Sequence, residues 1–390
     1  MKIVVIAGAR PNFVKISPLL RAMRRRPDIT PVLVHTGQHY DAQLSDQFFT
    51  DLGIETPAYN LEVGSGSHAV QTAEVMKRLE PVLETEHPDR LMVVGDVNST
   101  IAAALVAVKL GIPVDHVEAG LRSFDRTMPE EVNRILTDAI ADQLFVSESS
   151  GVDNLLREGI PADRIHLVGN VMIDALEACR PRWEQAPVLQ RFGLEPTQPY
   201  ALVTLHRPSN VDNPETLKRI VDALETVSRE LTLVWPVHPR TKQALQGHPR
   251  VHWRVTKDGN GTVPHGLLAL EPLGYLDCLS VMSRARLVLT DSGGIQEETT
   301  VLGIPCLTLR SNTERPATLT HGTNRLIGTN PEAIVSMALQ ALSESSRSSA
   351  RPPLWDGLAS ERIVERLAAR PDALRTSADP KAVCQTASIF

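Results

Sequence analysis

Three acidic residues stand just past apolar runs in the first half of the chain. Asp96 follows Leu91–Gly95 in Gly95-Asp96-Val97-Asn98-Ser99-Thr100, and Glu118 follows Val114–Val117 in His116-Val117-Glu118-Ala119-Gly120-Leu121-Arg122-Ser123. Glu130 lies twelve residues further on, in Met128-Pro129-Glu130-Glu131-Val132-Asn133-Arg134. Carboxyls gathered at one point raise one another's proton affinity and supply a general acid and a general base together. Two of the three also have a plain structural use: Asp96 as the cap of a helix starting near Ser99, and Glu130 as a favourable acid in a first helical turn. Glu118, flanked by Val117 and Ala119-Gly120 at a strand end, is harder to assign that way.

Cations and bare backbone accompany these acids. Gly8-Ala9-Arg10-Pro11-Asn12 follows the first apolar run, and Lys15 comes one turn into the next helix. Both Arg10 and Lys15 stand where a helix N-terminus attracts phosphate or carboxylate, although Arg10 would serve equally to pair a neighbouring acid. In the second half, Thr290-Asp291-Ser292-Gly293-Gly294-Ile295-Gln296-Glu297-Glu298 reads as strand, glycine turn and helix. Ser292, Gly293 and Gly294 would present backbone N–H groups to an anion, with Glu298 in reach of ribose hydroxyls; the plain alternative is an ordinary tight turn. Arg315 adds a cation on a later loop, and His206 and His238 end successive strands at the expected cleft rim.

Several chemistries are excluded at this level. The loop at Gly8 lacks the G-x-G-x-x-G pattern, so no nicotinamide cofactor is expected. Histidines and carboxylates show no metal-ligand spacing, and Cys179, Cys278, Cys306 and Cys384 are scattered without a C-x-x-C. Neither a metal nor a disulfide framework is expected, and no cofactor. A net charge of −6 with 22% charged and 42% hydrophobic residues describes a globular chain with no nucleic-acid partner. The dense basic run Arg24-Arg25-Arg26 ends an expected helix, where cations suit the dipole. No apolar stretch is long enough for a bilayer, and the first is too short for a secretory signal, which leaves the cytoplasm as the expected address and no membrane partner.

Those residues need a scaffold, and the apolar pattern supplies one. Short continuous apolar runs alternate with amphipathic stretches throughout, the mark of parallel sheets wrapped by helices. Strands are predicted at Ile3–Ala7, Pro31–Thr36, Leu91–Gly95, Pro113–Val117, Gln143–Ser147 and Ile165–Val168, then at Tyr200–Leu205, Thr232–Val237, Leu267–Leu270, Leu287–Thr290 and Pro305–Leu309. The fold class is α/β, with two doubly wound Rossmann-like domains facing one cleft: 1–180, and 181–354. Residues 355–370 form a last helix packing back across the cleft, and 371–390 read as a flexible tail.

Taken together the motifs become specific. GARPN-x-x-K, TGQHYD, GDVNST, HVEAGLRS, MPEE-x-NR, HRPSN, PVHPR, TDSGGIQEE and NTERP occur in the order seen in the non-hydrolysing UDP-N-acetylglucosamine 2-epimerases, which the chain resembles over about residues 1–370. The resemblance implies a GT-B-like architecture and reversible C2 epimerisation of UDP-GlcNAc to UDP-ManNAc. The route it implies eliminates UDP to leave 2-acetamidoglucal and then adds UDP back, without NAD or metal. Matched motif to motif, it puts the catalytic set on Asp96, Glu118, Glu130 and His206. The UDP and sugar site falls on Arg10, Lys15, Ser292, Gly293, Gly294, Glu298 and Arg315.

Some members of that family bind a second UDP-GlcNAc beside the active site, and the matching positions here are Gln38, His39, Arg207 and His238. The chain departs from the commoner patterns at Gly8-Ala9-Arg10-Pro11-Asn12 and His206-Arg207-Pro208-Ser209-Asn210, and it lacks the arginine those members carry near Gly64–His68. The resemblance also implies a homodimer. Two alternatives stay open: a 2-epimerase of a related UDP-amino sugar of the diacetamido uronic acid type, and a GT-B glycosyltransferase. Three carboxylates on one half argue against the second.

Overall fold

In the computed structural model the described residues are 1–37, 49–195, 197–245, 252–253, 266–344 and 350–369, with the side chains of Arg10, His252 and Trp253 set aside. Gln38, His39 and the expected 371–390 tail lie outside them.

The apolar runs form strands because they are buried on both faces. Ile3, Val4 and Val5 are fully enclosed, as a parallel strand covered by helices on either side requires. The first sheet consists of β1 (Lys2–Ala7), β2 (Thr30–His35), β3 (Tyr59–Asn60), β4 (Arg90–Val94), β5 (Val114–Ala119), β6 (Gln143–Val146) and β7 (Ile165–Leu167). They are parallel, in the order β3-β2-β1-β4-β5-β6-β7. The second sheet consists of β8 (Tyr200–Thr204), β9 (Thr232–Pro236), β10 (His252–Trp253), β11 (Leu267–Leu270), β12 (Leu287–Thr290), β13 (Cys306–Thr308) and β14 (Asn324–Leu326). It is also parallel, in the order β10-β11-β9-β8-β12-β13-β14.

The order reverses between β1 and β4 in the first sheet and between β8 and β12 in the second, where the edge strand β10 also lies outside β11. At such a reversal the loops leave the strands in opposite directions and open a crevice at the carboxyl ends. Lys15, Asp96, His206 and Ser292 all follow one of those four strands. Glu118 follows the neighbouring β5. The doubly wound α/β reading therefore places its candidates as expected. Three strands escaped the sequence: β3, β10 and β14 are edge strands of two or three residues, too short for any apolar pattern.

The halves share a core. Phe13, Ile16 and Leu20 of the Arg10–Arg24 helix, Ile173 and Leu176 of the Val171–Glu184 helix, and Tyr200 and Leu202 of β8 belong to one buried cluster. The last described helix, Ala359–Ala368, adds Ile363, Val364 and Leu367 to the same cluster and packs on the Arg10–Arg24 helix. Its first turn is held from outside. The Asp174 carboxylate accepts from Ala359 N at 3.1 Å, Ser360 N at 2.6 Å and Ser360 Oγ at 2.6 Å, which satisfies orphan donors at the helix start. The helix begins at Ala359 rather than Trp355, and Trp355 instead donates its indole N–H to Ser147 O at 2.9 Å. No helix among the described residues is long and apolar enough to cross a membrane.

Candidate active site

The site begins at the turn after β1. Asn12 accepts from Ala9 N at 3.0 Å and donates to Val94 O at 2.8 Å, tying that turn to the end of β4. Lys15, a turn later, is thereby directed to the end of β5 and is almost fully buried. There Glu118 breaks the strand. The pairing of β5 with β6 shifts between Val117 and Ala119, and Glu118 itself takes φ 70°, a left-handed conformation that costs a non-glycine residue roughly 1–3 kcal/mol.

Neighbouring bonds enforce this kink. His116 meets Gly95 O at 2.9 Å and Asp138 Oδ1 at 2.7 Å, while Asp138 Oδ2 accepts from Gly120 N at 3.0 Å and pairs with Arg122 at 2.7 Å. Gly120 could carry no side chain, since a Cβ would collide with the Gly151 backbone. With both flanks pinned, the Glu118 carboxylate turns into the crevice.

There it meets cations from both halves. One Glu118 oxygen pairs with Lys15 and the other with Arg315 Nη2 at 2.8 Å. Burial pushes the Glu118 carboxyl up, but Lys15 and Arg315 outweigh it and hold the group below the usual glutamate range. Arg315 is surrounded by acids. Its Nε lies 2.9 Å from Glu297 Oε1, and its Nη1 pairs with Glu314 Oε1. Glu314 is shared with Arg310 at 2.8 Å. Despite burial, Arg315 and Arg310 keep its carboxyl well below the ordinary range.

Asp96 stands at the edge of this group, paired with Arg134, which also binds Glu131 at 2.6 Å. Glu131 in turn accepts from Ser123 N, Ser123 Oγ and Phe124 N, each at 2.9 Å, and so shapes the loop leaving β5. The Asp96 side chain remains 28% exposed, reachable from the crevice.

On the second half, Asp291 organises the rim. Its carboxylate accepts from Arg207 N at 2.9 Å and Asn210 Nδ2 at 3.0 Å, and His206 Nδ1 lies 2.9 Å away. Burial raises the Asp291 carboxyl, yet the His206 ring and these N–H donors bring it below its ordinary value. The His206 ring is 42% exposed and stacks obliquely on His238 at 5.8 Å. Ser292 begins the Gly293–Leu302 helix without a side-chain cap, leaving that N-terminus free to receive an anion. A Cβ on Gly293 would overlap the Arg315 guanidinium, so this glycine is required by the cluster itself.

The structure therefore joins Lys15, Glu118 and Arg315 directly and sets Asp96 beside them. Glu130 lies in the first turn of the Pro129–Ile140 helix, half-buried and without an ion pair among the described residues. Glu298 is buried and accepts from Tyr275 Oη at 3.0 Å, and burial lifts its carboxyl to about 8. His238 is used by the backbone, accepting from Arg240 N at 3.3 Å, and Arg207 donates to Asp291 O at 3.1 Å. The Arg10 side chain, Gln38 and His39 are outside the described residues. Sequence reasoning passed over Glu297, Glu314, Arg310, Arg134 and Asp291. All but Arg310 lie inside motif strings, and Glu131 with Arg134 has the three-residue helical spacing of an ion pair. Among the described residues no group of three His, Cys, Asp or Glu side chains is arranged to hold a metal ion.

Comparison with known proteins places this site in context. The family model described as UDP-N-acetylglucosamine 2-epimerase matches residues 21–368. The UDP-N-acetylglucosamine 2-epimerase of Methanococcus maripaludis is 41% identical over 93% of this chain and 97% of its own. The UDP-2,3-diacetamido-2,3-dideoxy-D-glucuronate 2-epimerase of Pseudomonas aeruginosa is 39% identical over 94% of this chain and 99% of its own. The crystal structure of Methanocaldococcus jannaschii UDP-GlcNAc 2-epimerase in complex with UDP-GlcNAc and UDP superposes with a TM-score of 0.85. It is 40% identical and covers 95% of this chain and 100% of that one.

The buried cluster has a measurable pH signature. Glu314 is held below its unfolded value near 4.5, so it stabilises the fold above that pH, and the contribution is lost as pH falls toward its folded value. Glu314→Gln should destabilise the protein by on the order of 3–5 kcal/mol at pH 7, the scale of a broken buried ion pair. The gap between variant and parent in urea unfolding should narrow below about pH 4.5. A variant as stable as the parent at pH 7 would contradict this.

Proposed function

We infer the activity from one premise: this chain belongs to the UDP-N-acetylglucosamine 2-epimerase family. The reaction proposed is reversible C2 epimerisation of UDP-GlcNAc to UDP-ManNAc. The C1–O bond breaks with its electrons going to the UDP oxygen, a carboxylate takes the C2 proton, and a C1=C2 bond forms. UDP then adds back while a proton returns on the other face. The reaction is redox-neutral and asks for acids, bases and cations alone.

The observation that carries this reading is the meeting of Lys15, Glu118 and Arg315, which stand after β1, at the end of β5 and after β13, at the carboxyl ends of the two sheets. Cations there stabilise the departing diphosphate, and the N-terminus at Ser292, Gly293 and Gly294 offers it backbone donors. As the C1–O bond stretches, the ring gains positive charge, which loosens the C2 proton and is stabilised by nearby carboxylates. Asp96, Glu118 and Glu130 are the proposed acids and bases, with His206 at the opposite rim. Arg10 and Lys15 are proposed for the diphosphate, and Glu298, kept neutral by burial, for the nucleoside side. Cytoplasmic location and a homodimer belong to the same proposal.

A second substrate is favoured by one observation: the diacetamido-glucuronate 2-epimerase matches nearly the full length of this chain at 39% identity. Such a sugar would keep the UDP contacts and differ at C3 and C6.

Proton NMR of the purified protein with UDP-GlcNAc in deuterated water tests the reading. Appearance of UDP-ManNAc with deuterium at C2 is expected. Conversion of only the diacetamido uronate under the same conditions would favour the second substrate, and conversion of neither would contradict the proposal. In the same assay Asp96→Asn, Glu118→Gln and Glu130→Gln should each lower turnover by about a hundredfold or more, as lost proton transfer does. Near-normal turnover in all three would place the chemistry elsewhere.

A further inference from the structure

Glu297 lies outside every role assigned above, yet it is in contact with the most heavily used cation of the site. It is 1% exposed, and its Oε1 lies 2.9 Å from Arg315 Nε and accepts from Asn170 Nδ2 at 2.9 Å. Asn170 caps the Val171–Glu184 helix through Met172 N at 2.9 Å, so Glu297 ties the second half to the helix that ends the first. Its other oxygen, Oε2, is buried and has no hydrogen-bond partner among the described residues. A buried carboxylate oxygen without a donor is costly when charged and less so when it carries a proton.

We propose that Glu297 is a positioning residue that fixes Arg315 across the crevice and takes up a proton when the diphosphate of a nucleotide sugar binds. This deepens the epimerase reading and rests on it. Arg315 already faces Glu118 and Glu314 besides Glu297, with Lys15 the further cation on Glu118 and Glu298 the next acid on the same helix. An incoming diphosphate adds negative charge to a group already rich in acids. The acid that gives way is the one least supported by donors. Burial first, relieved by Arg315 and increased by Glu118, lifts the Glu297 carboxyl to about 7, and added negative charge lifts it further, so uptake is largest near and above neutral pH.

Calorimetry of UDP-GlcNAc binding in buffers of different ionisation enthalpy reads that proton directly, since the sugar diphosphate itself carries no titrating proton near pH 7. The parent protein should take up a sizeable fraction of one proton at pH 7.5, and its affinity should weaken by up to tenfold per pH unit as pH rises above 7. Glu297→Gln keeps the shape of the group beside Arg315 and cannot ionise. It should take up clearly less proton than the parent and should bind with weaker pH dependence. Glu297→Ala, which removes the ion pair with Arg315, should raise KM more than it lowers kcat at every pH. Equal proton uptake in parent and Glu297→Gln, or none in the parent, would overturn the inference while leaving turnover intact. A parent protein that binds no UDP-GlcNAc would overturn the functional reading and this inference with it.

Discussion

A buried guanidinium, Arg315, holds this structure's two halves to one chemistry. It reaches from the second half to Glu118 on the first, and it shares acids with Lys15 and Arg310. Taking these charges out of water costs several kcal/mol apiece, which their mutual attraction repays only when geometry and hydrogen bonding are nearly complete. Completeness here depends on many local features at once. The left-handed kink at Glu118, the bare Gly293 against the guanidinium and the Asn12 bridge from β1 to β4 each allow one contact of the cluster. An arrangement of this kind is a poor way to gain stability and a good way to fix where charges sit before a reaction begins.

The same arrangement explains why acids dominate a site meant for an anionic ligand. Lys15 and Arg315 hold the Glu118 carboxyl below its usual range, and Arg134 fixes Asp96 beside it, so neither acid is free to wander. Glu297 and Glu298 lie in a different setting, where burial raises the carboxyls to about 7 and 8, offset at Glu297 in part by Arg315 and at Glu298 by the Tyr275 hydroxyl. One short helix thus carries two acids of raised proton affinity, the first of them near the lowered Glu118. Opposite shifts of neighbouring titratable groups are what proton-transfer sites require.

Much of this was legible in the chain. Apolar runs marked the interior strands to within a residue or two, since strands buried on both faces admit little else. Lys15, Glu118 and Arg315 were legible as candidates because a doubly wound sheet gathers the residues past its strand ends. Their mutual contact was not, because Glu118 and Arg315 are 197 positions apart and nothing local ties them. Glu297 and Glu298 show the limit most clearly. They are adjacent in sequence, yet a helix turns by about 100° per residue, which aims one at Arg315 and the other at Tyr275. Edge strands such as β3 stayed hidden because two residues carry no period.

The claim at the centre of this account is that Arg315 and Glu118 act as one unit across the crevice. A double-mutant cycle in kcat/KM for UDP-GlcNAc, using Glu118→Gln, Arg315→Gln and the pair together, measures that coupling directly. The account predicts strong non-additivity, with the double variant hardly worse than the more damaged single one, as for residues that work together. Losses that simply add would contradict it and would mean that the two residues serve the reaction independently.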